Sequence, residues 1–567
     1  VLLQDLGDGP IRVDRHLSSP SPAASSFGTS AACNYSTPID CPWASIRLFP
    51  PRMPRPEEAK NNAEYISVPQ SVPLRGEGEG QKGMLPKGSP EFVTSLKEIL
   101  GDPPDLVFAS AGEGVTVAYL STLVEISVLE THLLGPLRRA FAEGAKAAWE
   151  RFLPFLSMGE SRPRNNLKEI ASDLLAGHAV VHMAGNDMAY SFAIPRPLRW
   201  PPTQPQIERT IRGTRLSFPE SLEESIRLVR TRIKDPSLRV EGFSLGRRTR
   251  TEVAVLYLAD VADRGLIEEL RRRLSRIDID GIVDSGYLEQ LITDNRRSLF
   301  PLTQSTERPD KVVAAILEGR VAILVDGSPT AILVPATINE LYQSSDDYYY
   351  GLFHGSFLRA FRVLGNLLAV ALPGLYVALV GVNPELLPIK FALAVAESRA
   401  GVALPLILEI LLMEIIIEIF REGSLRLPTT ISQTIGVAAG VVLGIAGVNA
   451  GIVSNATLVV VVITAIASYS GPHYEIGITW RILRFGMIFA AAFLGLFGLA
   501  LFGLVILAHA ANQNSLGVSY LAPWAPMRPR ALVDTITRRS IAQTRRIGTY
   551  HPAEEGRFHP KKEEDDK

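Results

Sequence analysis

Hydrophobic and polar positions divide this 567-residue chain into three regimes. Residues 1–90 are rich in Pro, Ser and Gly (SSPSPAASSFGTS, RLFPPRMPRPEE, RGEGEGQKG) and carry neither helical nor strand periodicity, so a disordered extension is expected there. From 91 to 345, short Val/Ile/Leu/Tyr runs alternate with charged amphipathic stretches, as in TEVAVLYLADV followed by RGLIEELRRRLSRI. Strand then helix, repeated, predicts soluble α/β units. From 346 to 527 the apolar runs lengthen, and between residues 427 and 474 there is no Asp, Glu, Lys or Arg. A run that exceeds the ~20 residues of one crossing predicts an all-α polytopic membrane domain. Five spans are expected, at 363–382, 402–420, 435–453, 456–469 and 485–510, with Pro373 a kink in the first. Residues 386–396 are too short to cross, contain Lys390, and read as a re-entrant or interfacial piece.

The soluble region contains an internal repeat. AGHAVVHMAGNDMAYSFAIP from Ala176 resembles EGRVAILVDGSPTAILVP from Glu318: Gly177 and Gly185 pair with Gly319 and Gly327, Ala189 pairs with Ala331, and both stretches close on Pro. Upstream, VAYL at 117–120 pairs with VLYL at 255–258. Two similar α/β subdomains follow, at 91–210 and 211–345.

Net charge of -1 without a concentrated basic stripe excludes nucleic acid as a partner. The two cysteines, Cys33 and Cys41, lack the neighbours a zinc site needs, and Gly78, Gly80 and Gly83 match GxGxxG without a preceding strand or a following helix. His354 and His473 stand alone outside the spans, and neither HExxH nor GxSxG occurs. No enzyme, cofactor or metal site is expected. Residues 1–30 lack the apolar stretch of a cleavable signal peptide, so an internal span is expected to direct insertion. The first residue is Val, which leaves open whether residues 1–90 belong to the native protein.

The chemistry lies in LPLILEILLMEIIIEIFREGSLRLP, residues 404–428, where an apolar segment carries Glu409, Glu414 and Glu418. A charge at bilayer depth costs at least ~2.5 kcal/mol on insertion scales, so three in one span need a reason. Glu414 and Glu418 lie one turn apart on one helical face, and the spacing to Arg421 predicts a Glu418–Arg421 pair at the helix end. Glu409, Glu414 and Glu418 are candidates for a cation pathway, with Glu409 or Glu414 facing the axis of an oligomer. Gly436, Gly440 and Gly444 recur every four residues and are expected to pack tightly against another helix. Arg359 and Arg362, Arg421 and Arg426, and Arg481 and Arg484 place the soluble region inside the cell. Five crossings would leave the charged tail, 528–567, on the opposite side unless SLGVSYLAPWAP at 515–526 re-enters.

MEIIIEIFREGSLRLP at 413–428, IDIDGIVDSGYLEQLI at 277–292, TERPD at 306–310, LEGRVAILVDGSP at 317–329 and SLGVSYLAPWAP together resemble the A-subunit family of spore germinant receptors, over about 95–527. The stage V sporulation F protein is a relative of the same class. The resemblance implies a cytoplasmic region of two α/β subdomains, a membrane domain in the spore inner membrane, and action with B-type and C-type subunits. It also implies a homo-oligomeric ion channel, surrounded by membrane lipid, that responds to nutrients. The chain departs from the pattern at RGTRLSF (212–218), at REGS (421–424) and in its N-terminal extension. A secondary transporter protomer with its own substrate site is the competing expectation, for which Pro373 and the short 386–396 segment speak.

Overall fold

The computed structural model of the chain describes residues 85–142, 161–197, 203–538 and 550. The expected disorder of residues 1–84 lies outside these. Leu85 is already buried and the first helix, α1, is Ser89–Leu100, so the folded region begins a few residues before 91.

Two five-stranded antiparallel sheets follow one another. The first joins β1 (Leu106–Gly112), β2 (Val115–Leu120), β3 (Arg162–Arg164), β4 (His178–Met183) and β5 (Ala189–Ala193) in the order β1-β2-β4-β5-β3. The second joins β6 (Leu238–Leu245), β7 (Thr251–Leu258), β8 (Gln304–Thr306), β9 (Val321–Val325) and β10 (Ala331–Val334) in the order β6-β7-β9-β10-β8. Each sheet is covered on both faces. On one face of the first, α1 and α2 (Leu167–Leu175) bury Phe92, Leu96, Ile170 and Leu174 against Ala118 and Val180. On the matching face of the second, α3 (Leu222–Arg232) and α4 (Pro309–Leu317) bury Ile226, Val229, Val312 and Ile316 against Ala254 and Leu256. Burial on both faces explains why β9 and β10 read as unbroken apolar runs instead of alternating.

The repeat is thus structural, down to its turns. Gly185 and Gly327 sit between the last two long strands of each sheet at φ +87° and +80°. The N–H of Gly185 donates to the Lys87 carbonyl and that of Gly327 to the Glu220 carbonyl, each acceptor two residues before the helix that opens its subdomain. Open space surrounds both, so an added Cβ meets only backbone strain. Gly185→Ala and Gly327→Ala should therefore each destabilise by about 1–2 kcal/mol. Denaturant unfolding of the full chain checks this; a neutral effect at one site alone would mean that the two turns are not equivalent.

The helical region opens with the short α5 (Asp346–Tyr349) and then α6 (Leu352–Val377), which a wider turn extends to Val382. These 31 residues reach about 46 Å at 1.5 Å per residue. Then come α7 (Ile389–Arg399), α8 (Leu406–Arg426), α9 (Thr429–Val441, continued to Asn449), α10 (Asn455–Ala467) and α11 (Tyr474–Ala511). The stretches Leu352–Val382 and Tyr474–Ala511 are long and apolar enough to cross a membrane.

The last of these is not one span. At Gly495 the backbone takes φ 61° and ψ -143°, and the helix folds back on itself. Gly486 of the first arm packs on the Phe502 ring, and Gly498 of the second on the Ala490 carbonyl. Asn383, just past α6, accepts the Leu496 N–H at 3.2 Å and so fixes the bend. The reversal places both ends of α11 on the α/β region: His473 contacts Lys311, and Gln513 bonds Asn295. Among the described residues the helical region thus runs as α6, α8, α9, α10 and the two arms of α11, the chain reversing inside the stretch where one span, 485–510, is expected.

Residues 515–526, the stretch whose re-entry would return the tail, dock on the second α/β subdomain. There β11 (Asn514–Ser515) and β12 (Val518–Ser519) form a small hairpin. Ser515 Oγ donates to the Leu302 carbonyl at 2.6 Å, the Leu516 N–H donates to Asp294 at 2.7 Å, and Tyr520 is fully buried. The chain then runs to the base of α6, where Arg359 donates to the carbonyls of Asp534 and Thr535.

Candidate functional site

The helical region is polar inside and apolar outside. Phe353, Phe493, Phe497 and Ile466 are each more than two-thirds exposed, whereas Arg359, Glu409, Glu414, Thr457, Thr464 and Arg484 are buried. Such a distribution suits lipid around the bundle, because each interior polar group can then find a protein partner.

The three glutamates of α8 all find one. Glu409, without solvent exposure, accepts from Arg399 Nε at 3.3 Å and from the Ser454 N–H at 2.7 Å. Ser454 caps α10, so the carboxylate lies at a helix N-terminus, where the backbone dipole favours negative charge. From there a chain of hydroxyls runs inward, Ser454 Oγ to Thr457 Oγ1 at 3.0 Å and Thr457 Oγ1 to Tyr376 at 3.3 Å. Glu414 meets Arg484 Nη1 at 2.6 Å, both side chains 3% exposed. Glu418 meets Arg481 Nη1 at 2.7 Å and Arg421 Nη1 at 3.5 Å. Arg421 is engaged more closely elsewhere, donating to Ser468 Oγ at 2.8 Å and lying 4.8 Å over the Tyr469 ring.

Three carboxylates therefore face four guanidiniums, and the cluster is not a negative ring. In this arrangement it ties α8 to α7, to the start of α10 and to the first arm of α11, and offers a passing cation no net attraction. Glu409 and Glu414 lie inside the protomer, not on its surface. Arg399, Arg481 and Arg484 were not among the sequence candidates. One signal for two of them exists: Arg481 and Arg484 sit one turn apart on α11, as Glu414 and Glu418 do on α8, matching rows on neighbouring helices.

The glycine face is largely open within the protomer. Gly440 and Gly444 have nothing within 4 Å of an added Cβ, and Gly436 has only Phe420, at 3.8 Å. Among the described residues the stripe touches α8 at Gly436 and is open at Gly440 and Gly444.

At the junction between the α/β region and α11 lies a second buried polar cluster. His473 Nδ1 is 3.1 Å from Glu208, and its Nε2 is 2.6 Å from Lys311 Nζ and 3.1 Å from Gln304 Nε2. Burial, with Lys311 beside it, holds His473 well below the ordinary imidazole value of 6.5. The ring is then neutral, with Nδ1–H donating to Glu208 and Nε2 accepting. His178 and His182 are also lowered, chiefly by burial. Unfolded imidazoles protonate below ~6.5 while the folded ones resist, so stability should fall as pH drops below that value, by up to ~1.4 kcal/mol per pH unit for each proton. Denaturation midpoints at pH 7.5 and 5.5 test this, and His473→Gln should flatten the slope.

A two-sheet α/β region joined to a helical region with a buried charge cluster defines the class. A family model described as Bacillus/Clostridium GerA spore germination protein matches residues 94–548, and the chain belongs to that family. It is 35% identical to spore germination protein B1 of Bacillus subtilis (strain 168) over 451 residues, 79% of this chain and 93% of that protein. Against spore germination protein A1 of the same organism it is 39% identical over 364 residues, 64% of this chain and 76% of that protein. A crystal structure of the N-terminal domain of the A subunit of the Bacillus megaterium spore germinant receptor GerK3 aligns with 45% of this chain and 97% of its own length, at 29% identity and a TM-score of 0.36.

Proposed function

We propose that this chain is the A-type subunit of a nutrient germinant receptor, a multi-pass protein of the spore inner membrane with its α/β region in the cytoplasm. It assembles as a homo-oligomer with B-type and C-type subunits and releases cations when nutrient is sensed. The observation that carries this reading is the inside-out helical region, whose interior holds Glu409, Glu414 and Glu418 each on an arginine. Six passes put both ends of the described chain on one side, which agrees with the arginine-rich ends lying in the cytoplasm. In the arrangement described the carboxylates are neutralised, so they serve a cation path only when their arginine partners move away. Copies meet through α9, uncharged and open at Gly440 and Gly444 on its glycine face.

Cation efflux from liposomes holding the chain with and without its partner subunits tests the proposal. A nutrient-triggered flux that needs the A-type chain supports it; accumulation of one substrate coupled to an ion gradient would favour the transporter instead. That alternative calls for broken helices at mid-depth. The break after α6 and the bend at Gly495 instead lie together at the end remote from the α/β region, joined by Asn383.

A further inference from the structure

The loop joining the two α/β subdomains, residues 203–217, is closed at its neck. The Ser217 N–H donates to the Thr203 carbonyl at 3.0 Å, and the two hydroxyls lie 2.6 Å apart. A loop with its ends together is a compact body that can shift as one piece. Beside it, the subdomains meet through charged contacts: Arg230 with Asp105 at 2.8 Å, Arg196 with Glu224 at 3.0 Å, and Arg239 with the Ile99 carbonyl at 3.1 Å. Polar interfaces of this kind allow one subdomain to move against the other.

The loop reaches the bases of both long membrane-type helices. Glu208, nine-tenths buried, accepts from Lys311 Nζ and from His473, the residue immediately before α11. Two residues on, Thr210 takes Arg308 Nη1 at 2.6 Å. The N–H groups of Ile211 and Arg212 both donate to Asp346 at 3.3 Å. Asp346 adjoins Asp347, whose carboxylate holds Arg359 and Arg362 at the base of α6. Gly213, at φ +109°, lies flat against the Tyr349 ring, where a Cβ would collide. Within fifteen residues the loop contacts His473, α5 and the second subdomain, and in sequence it is the link to the first.

We propose that residues 203–217 are the coupling element of the receptor: movement of one subdomain against the other pulls this loop off Asp346 and His473 and so releases the bases of α6 and α11. Because Arg481 and Arg484 ride on the first arm of α11, its displacement draws them away from Glu418 and Glu414. The inference rests on the channel reading for its consequence, but not for the motion itself.

The test uses the full chain with its partner subunits in liposomes. Cys33 and Cys41 are replaced by Ser, Arg212→Cys and Asp346→Cys are introduced, and a short cleavable bifunctional reagent joins the two. Linking should slow nutrient-triggered cation release at least tenfold, and cleaving the reagent should restore it. Release at the unlinked rate while linked would overturn the proposal. Hydrogen exchange on the unmodified complex gives a second arm that needs no conduction. On nutrient addition the Ile211 and Arg212 amides should lose at least tenfold protection while Val181 and Ile323, in the sheet centres, keep theirs. Unchanged exchange at 211 and 212 would overturn the coupling role even if the channel reading holds. If the unlinked complex conducts nothing, the channel reading fails and the exchange arm still decides the coupling.

Discussion

Arg484→Leu is expected to destabilise the helical region by about 3–5 kcal/mol, the penalty for leaving one member of a buried ion pair without the other. Glu414 would remain 3% exposed with a charge and no cation in reach at 2.6 Å. Pairing is one-sided even now: Glu414 Oε1 and Arg484 Nε and Nη2 are buried without hydrogen-bond partners. The second change, Glu414→Leu in the Arg484→Leu background, should recover most of the loss, since an apolar pair of similar volume is often as stable as the buried ions it replaces. Thermal unfolding of the detergent-solubilised chain checks both. A single variant as stable as the parent would mean that the pair is not formed in the folded protein. A double variant as weak as the single would mean that the arginine acts through other contacts.

Arg359→Met should loosen the C-terminal segment from the base of α6. Its fully buried guanidinium donates to the Asp534 carbonyl at 2.8 Å, the Thr535 carbonyl at 2.8 Å and Asp347 at 3.3 Å. Asp347 keeps Arg362 and the Asp534 carbonyl keeps Gln343 Nε2, so the loss falls chiefly on the Thr535 carbonyl. At about 1–3 kcal/mol for one orphaned group, a loss of that size is expected. Limited proteolysis gives the local reading: cleavage should appear between Arg528 and Arg538 in the variant before the α/β region is cut. Equal resistance in both proteins would show that the segment is held by its other contacts, such as the Gln343 bond to Asp534.

What could be read from sequence was whatever local chemistry determines. Turn glycines announce themselves because few residues tolerate φ near +80°, so the matched Gly185 and Gly327 make the duplication legible in the sequence. The helical spacing likewise put Glu414 and Glu418 on one face. Their partners were hidden because Arg484 is 70 residues from Glu414 and Arg481 is 63 from Glu418, and a single-helix period carries no information about which helix comes alongside. The two arginines read instead as flanking charges of a span. The bend at Gly495 was hidden for a related reason: AAAFLGLFGLALFGL offers no polar residue to mark a turn, and the group that stabilises it, Asn383, lies over a hundred residues earlier. The pattern therefore reads 485–510 as one span, although the chain reverses within it. The stripe of Gly436, Gly440 and Gly444 was legible as a surface, but a pattern of small residues does not say whether the approaching helix belongs to the same chain.

The central claim is that this chain conducts cations as part of a germinant receptor and that the α8 carboxylates matter once released from their arginines. Cation conductance and selectivity of the reconstituted complex, compared for the parent, Glu409→Gln and Glu414→Gln, test it most directly. The account predicts a nutrient-dependent current in the parent, and a several-fold lower conductance or altered cation selectivity in at least one variant that inserts and assembles normally. Parent-like conductance and selectivity in both variants would contradict the pathway and leave helix-to-helix pairing as the whole reason for the charges.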